Sequence, residues 1–284
     1  MNRILTCTDG SIYAPGIYDL TAWAAKRSAA AVHVLHMLDP HRERAELADR
    51  SGNLGLHTGE ELLEELAAFE ETRNRLARER GKALLVEARR HLTAAGVESV
   101  TTEQQHGALV ETVIRMEAGA DLVVMGKRGE SANFARLHLG SNLERVIRAS
   151  ARPVLVAARK FTPITRFLLA FDGSPSAEKA LTFAIDHPLL KGLTCHLLRA
   201  GRIDSKAECF LQEAAGKLQA AGYEVTVRAT PGDPETVIAE AIRNEGIELL
   251  IMGAYGHSRI RQLVVGSTTT ALVRTCPVPV LMFR

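Results

Sequence analysis

The chain states one programme twice, and that repetition limits its fold more than any other feature. An apolar run at 167–171 ends in Asp172-Gly173-Ser174, just as residues 3–8 (Arg-Ile-Leu-Thr-Cys-Thr) end in Asp9-Gly10-Ser11. Glu-Thr-Val-Ile stands at 111–114 and again at 235–238. Met125-Gly126 is matched by Met252-Gly253, Gly140-Ser141 by Gly266-Ser267, and Pro153-Val154-Leu155 by Pro279-Val280-Leu281. Five landmarks in one order imply two homologous domains. They meet near 160–165, which predicts domains over 1–159 and 160–284; a length of 284 residues also favours two.

Within the first copy, strands are expected at 3–8, 31–38, 100–104, 121–126 and 153–157. Helices are expected at 14–28, with Ile17, Leu20, Trp23 and Ala24 on one face, at 108–117, and from Ser141. The strands are apolar throughout rather than alternating, and they alternate with helices. Parallel sheets covered on both faces read this way.

The copies differ by one insertion. Asp9 and Gly126 stand 117 positions apart but Asp172 and Gly253 only 81, so the first copy carries ~36 extra residues, between His41 and roughly Arg80. Residues 39–58 are polar and loop-like, whereas 60–95 hold little to break a helix except Gly81. Leu62, Leu66, Phe69, Leu76 and Ala83 follow a near seven-residue rhythm, interrupted at Arg73. Glu60, Glu61, Glu64, Glu65, Glu70 and Glu71 come first, then Arg73, Arg75, Arg78, Arg80 and Lys82. Two readings stay open: an amphipathic helix packed on its own domain with a solvated charged face, or an antiparallel pairing with the same helix of a second chain.

The segment 249–270 carries the strongest chemical signal. Leu249, Leu250, Ile251 and Met252 make a buried strand, Gly253 and Gly256 follow, and after nine more residues come Gly266-Ser267. Such glycines allow positive φ and close backbone approach, and Ser267 opens a helix whose N–H groups favour an anion. No Gly-Lys-Ser/Thr triplet closes the loop, so it is not a Walker A element. Asp9 and Asp172 follow the first strands of their copies. In an open parallel sheet they face the same crevice as the glycine loops, although Asp-Gly-Ser is also ordinary turn chemistry.

The spacing Gly-x2-Gly-x9-Gly-Ser resembles the ATP-binding signature of the universal stress protein family. The resemblance covers the chain twice, outside the insertion. It implies an α/β fold of two tandem flavodoxin-like (adenine-nucleotide alpha-hydrolase-like) domains, each a five-stranded parallel sheet with helices on both faces. The last strands, 154–157 and 280–283, would pair within one polypeptide. It further implies that Asp172 and Asp9 contact the adenine-ribose part of ATP. Main chain at Ala200 and Met37 would assist, and Met252, Gly253, Gly256, Gly266, Ser267 and Thr268 would hold ribose and phosphates. The first-domain counterparts are Met125, Gly126, Gly129, Gly140, Ser141 and Asn142. There ten residues, not nine, separate Gly129 from Gly140; Lys127 and Arg128 could help neutralise a phosphate, or the site is a degenerate one kept for its fold. His257, Arg259 and Arg261 lie in the second loop, as phosphate-steering or as solubilising residues.

Other function classes are disfavoured. A net charge of +2 and 5% aromatic residues give no electrostatic or stacking case for nucleic acid. No apolar run reaches membrane-spanning length, and the start shows no signal-peptide pattern. Four scattered cysteines read as reduced thiols, mostly buried, of a cytoplasmic protein. The ten histidines have no metal spacing, His33 and His36 falling on opposite faces of one strand. Neither a Gly-x-Ser-x-Gly elbow nor a nucleophile–base pair is recognisable. The expectation is a binding module rather than an enzyme: adenine nucleotide, ATP with or without Mg2+, acting in a stress response. The rival is a nucleotide-free scaffold or dimerisation protein working through 40–95.

Overall fold

The computed structural model describes residues 3–38, 59–127, 141–254 and 267–284, without the side chains of 59–66 and 267–268. In the first half the strands are β1 (Arg3–Thr8), β2 (Ala31–Leu38), β3 (Val100–His106), β4 (Leu122–Gly126) and β5 (Val154–Ala157). The second half supplies β6 (Arg166–Ala170), β7 (Thr194–Ala200), β8 (Val225–Thr230), β9 (Leu249–Gly253) and β10 (Val280–Phe283). All ten join one sheet in the order β3-β2-β1-β4-β5-β10-β9-β6-β7-β8. Neighbours are parallel within each half, and only β5 and β10 run antiparallel. The α/β architecture read from the sequence is present, including the pairing of the two last strands.

That central joint positions everything else. Val280 lies opposite Val156, Leu281 opposite Leu155 and Met282 opposite Val154. Every residue of both strands is buried, and covering each large apolar side chain is worth about 1.5–3 kcal/mol. Pairing also removes two sheet edges that would otherwise offer unpaired backbone groups. A half-turn about the sheet normal, at the Leu155–Leu281 pair, carries one half onto the other. The strands of the two halves therefore run in opposite directions, and their carboxyl ends lie at opposite ends of the sheet.

Helices cover both faces. On one lie α1 (Ala14–Ser28), the C-terminal part of α2 (Gly59–Ala94), α5 (Pro175–Asp186) and α6 (Ser205–Ala220); Ile17, Leu20, Leu85, Leu92, Leu181 and Leu211 share a core there with Val32, Val34 and Ile251. On the other lie α3 (Leu109–Met116), α4 (Ser141–Ala149), α7 (Pro234–Asn244) and α8 (Ser267–Thr275), packed with Leu5, Val123, Leu250 and Met252. Alternate strand residues feed alternate cores, as the period of two requires. Contacts across the halves lock them together. Arg27 Nε donates to the Leu189 carbonyl at 2.5 Å, and Arg284 Nη1 to that of Ala149 at 3.1 Å.

The predicted long helix is α2, 36 residues against 16 for its counterpart α6. Its behaviour changes at Gly81. From there on Gly81, Leu85, Ala88 and Leu92 are buried against the sheet. A Cβ at Gly81 would lie 2.7 Å from His36 Cδ2 and would strike the Gln104 side-chain amide, so only glycine lets the helix press on the ends of β2 and β3. Residues 67–80 are exposed apart from Arg73 and Ala77, which are half-buried. Of the two readings, packing on its own domain therefore holds for the C-terminal part of the helix and not for 67–80.

Candidate functional site

In each half the strand order reverses direction between its first and fourth strands, which are neighbours. In the second half Ala170 of β6 pairs with Met252 of β9. From β6 the chain passes to α5 on one face, and α8 follows β9 on the other. The two chain paths diverge and leave a crevice beyond the carboxyl ends.

Asp172 sits at its lip, half-buried, with Oδ1 accepting from the Ser174 amide at 2.9 Å. Gly173 between them has φ +74°, a conformation that glycine adopts without strain. The turn delivers Ser174 as N-cap of α5, its hydroxyl accepting from the Ala177 amide at 3.3 Å. The ordinary turn chemistry of Asp-Gly-Ser is thus present, and it also places the Asp172 carboxylate at the crevice. Gly253 closes the opposite wall. A Cβ there would lie 3.0 Å from Ser176 Cβ and 3.2 Å from the Ala177 nitrogen, with Ser176 Oγ nearer still. The missing side chain lets the end of β9 touch the first turn of α5. Beyond it, Thr269 Oγ1 of α8 donates to the Ala254 carbonyl at 3.3 Å and holds that helix start beside the strand end.

The first half repeats the plan. Asp9 Oδ1 accepts from the Ser11 amide at 3.0 Å, and Gly10 has φ +69°. Beneath them Tyr18 Oη and Thr8 Oγ1 lie 2.8 Å apart, and burial pushes the Tyr18 phenol up. One difference is large. Leu84 of α2 packs so tightly on Gly10 that a Cβ would lie 2.5 Å from its Cδ1, whereas Phe210, the nearest atom to the same position at Gly173, is 3.9 Å away. Leu84 and Phe210 occupy matching positions of α2 and α6, and α2 lies closer over its Asp-Gly turn.

Asp9, Met37 and Gly126 thus meet at one end of the sheet, with Ser141 at the start of α4; Asp172, Ala200, Met252 and Gly253 meet at the other, with the backbone of Ser267 and Thr268 starting α8. Gly129, Gly140, Gly256 and Gly266, with Arg128, His257, Arg259 and Arg261, lie outside the described residues. Lys127 follows β4 directly. Its ammonium donates to the carbonyls of Cys276 and Val278, the latter at 3.4 Å, and so ties the first crevice to the opposite half.

Sequence reasoning missed Arg199. It lies near the end of β7 beside Ala200, and its Nη1 donates to the Asp172 carbonyl at 2.9 Å while its buried Nε has no hydrogen-bond partner among the described residues. Alternation from Cys195 and Leu197, which face α5 and α6, would have placed this arginine on the same face of the sheet. In the first half that register position belongs to His36, whose Nδ1 is 3.0 Å from the Thr8 carbonyl. Burial pushes the Cys7 and Cys195 thiols up to about 12, so neither is a nucleophile at neutral pH. Among the described residues no cluster of three metal-ligating side chains occurs, and no helix is long and apolar enough to cross a membrane.

Comparison with known proteins agrees with this geometry. The model of the universal stress protein family matches residues 1–158 and again 163–284. A universal stress protein of Synechocystis sp. is 40% identical over 287 residues, covering 100% of both chains. Among solved structures, a universal stress protein from Archaeoglobus fulgidus matches with a TM-score of 0.70 at 22% identity, over 100% of this chain and 96% of its own. One from Pseudomonas aeruginosa, described as a putative member, gives 0.62 at 17% identity over 100% and 93%. At those identities the two structures speak for the fold alone; the duplicated family match and the full-length relative settle that this chain belongs to the universal stress protein family.

Proposed function

We propose that the chain binds adenine nucleotide, ATP, beyond the carboxyl ends of β6 and β9, and that occupancy tunes a partner interaction in a stress response. The observation that carries the reading is Gly253, where a strand end meets a helix start with no room for a side chain. In this reading Asp172 and main chain at Ala200 hold the adenine-ribose end. Met252, Gly253, Gly256, Gly266, Ser267 and Thr268 hold ribose and phosphates, and Arg199 supplies positive charge beside Asp172. Asp9, Met37, Gly126, Gly129, Gly140 and Ser141 form the second site, under Leu84. The units are the domains 1–159 and 160–284 of a cytoplasmic protein, and the role is binding and regulation rather than catalysis.

Calorimetric titration with Mg-ATP tests this, beside a Gly266→Val variant shown to unfold at the same urea concentration. Binding at tens of micromolar or tighter, lost in the variant, supports the second-domain site; a stoichiometry near two adds the first. No heat, together with no nucleotide released on denaturation, would end the reading.

A further inference from the structure

The exposed part of α2 has a surface that its own domain does not use. Phe69 and Leu76 are 57% and 62% exposed, and Ala83 is exposed as well. Phe69, Leu76 and Val86 make up three of the five large apolar side chains left exposed among the described residues. Phe69, Leu76 and Ala83 are seven apart, so they form one stripe. At 3.6 residues per turn that stripe is turned by about 150° from Leu85, Ala88 and Leu92, the stripe buried on the sheet. The body of the same domain lies on the wrong side of the helix to cover it.

Charge adds a direction. Residues 60–71 carry six Glu and no Lys or Arg, whereas 72–82 carry five Lys or Arg and one Glu. Beyond Glu60 and Glu61 in its first turn and the Glu71–Arg75 spacing at i,i+4, the helix itself gains little from such segregation. Glu60–Glu64, Glu61–Glu65 and Arg78–Lys82 are like-charged at i,i+4, which is unfavourable. The helix dipole acts only on its first and last turns, and the basic run is mid-helix, followed by residues through Ala94. Among the described residues, Glu79 and Lys82 form an ion pair within this stretch, 2.8 Å apart.

We propose that 60–83 of α2 docks against the same segment of a second copy of this chain, antiparallel, with Phe69, Leu76 and Ala83 in the seam. The acidic half of each helix then lies beside the basic half of the other. A parallel, in-register pair would set six Glu against six Glu, so the charge pattern selects the antiparallel arrangement. Both copies present the same patch, giving a two-fold contact centred near Thr72. The inference stands apart from nucleotide binding, since none of these residues borders the second-half crevice.

Sedimentation velocity on the full chain across the micromolar range tests it. The wild type is expected to dimerise, and to dissociate about tenfold more readily in high salt, a change of about 1.4 kcal/mol spread over several screened pairs. One variant reverses the acidic half (Glu64→Lys, Glu65→Lys, Glu70→Lys, Glu71→Lys); a second reverses the basic half (Arg73→Glu, Arg75→Glu, Arg78→Glu, Arg80→Glu). Each alone is expected to be monomeric with an unchanged urea midpoint, and a mixture of the two to form heterodimers. Orientation is read by oxidation in a Cys209→Ser background. Thr72→Cys should cross-link. Ala83→Cys should not, because its two copies would lie about 35 Å apart at 1.5 Å per residue. A wild type monomeric throughout, a dimer indifferent to both reversals, or cross-linking through Ala83→Cys would each overturn the proposal.

Discussion

Replacing Gly253 by alanine puts a methyl group where β9 meets the first turn of α5. The new Cβ would stand 3.0 Å from Ser176 Cβ and 3.2 Å from the Ala177 nitrogen, with Ser176 Oγ closer than either. None of these atoms yields easily. Ser176 and Ala177 are buried, and the Ala177 amide is already held by Ser174 Oγ at 3.3 Å. Because φ at Gly253 is not positive, the cost is packing alone. Inserting a methyl group into such a site costs about 1–3 kcal/mol, and with three tight contacts we expect about 2 kcal/mol. Ser176→Ala removes the nearest contact but leaves the other two, so the double variant should recover about 1 kcal/mol, within the range of coupling for touching residues. Urea unfolding measures all four states, and an unchanged m value confirms that only stability moved. Backing α5 away from β9 would also widen the crevice, so ATP affinity should fall in Gly253→Ala and partly return in the double variant. If Gly253→Ala lies within about 0.5 kcal/mol of wild type and adds independently to Ser176→Ala, the strand end and the helix do not meet, and the crevice wall inferred from them is wrong.

Two further outcomes follow from burial. Desolvation, then the nearby Arg3 charge, hold His33 below the ordinary histidine range, and burial does the same for His187. The unfolded chain therefore takes up these protons first: stability is complete above about pH 6.5 and is lost as pH falls through the folded-state values. Urea midpoints at a series of pH values should show this slope, at most about 1.4 kcal/mol per pH unit for each group, and His33→Gln should flatten it. An unaltered slope would assign the acid sensitivity elsewhere. Of the four cysteines only Cys209 is exposed, so a thiol reagent should modify one site per folded chain and all four after denaturation. A second fast thiol would contradict the burial of Cys7, Cys195 and Cys276.

Local patterns made the fold legible. The helix at 14–28 and the strand at 31–38 have the predicted bounds, because periodicity and flanking turns agree there. The duplicated Pro-Val-Leu placed two short apolar strands where they could pair, and they do. What was not legible depends on neighbours remote in sequence. Lys127 and the Cys276 carbonyl are 149 positions apart, and nothing near Lys127 says that it spans the joint. In α2 two apolar stripes share one run of residues. Only the sheet beneath Gly81 decides which is buried, so the heptad rhythm alone could not choose between the two readings. Arg199 escaped because its contact, the Asp172 carbonyl, lies in a turn 27 positions away.

The joint of β5 with β10 has a consequence for valency. Two separate copies of one domain would each bring every appendage, so a paired body would carry two long helices and could link to neighbours on both sides without end. Here the pairing is internal, and only the first half bears the helix. If that helix self-associates as proposed above, each body has one such arm. Association through it would close after two chains and could not propagate into a filament, so an exposed, charge-segregated helix would carry no hazard of open-ended assembly.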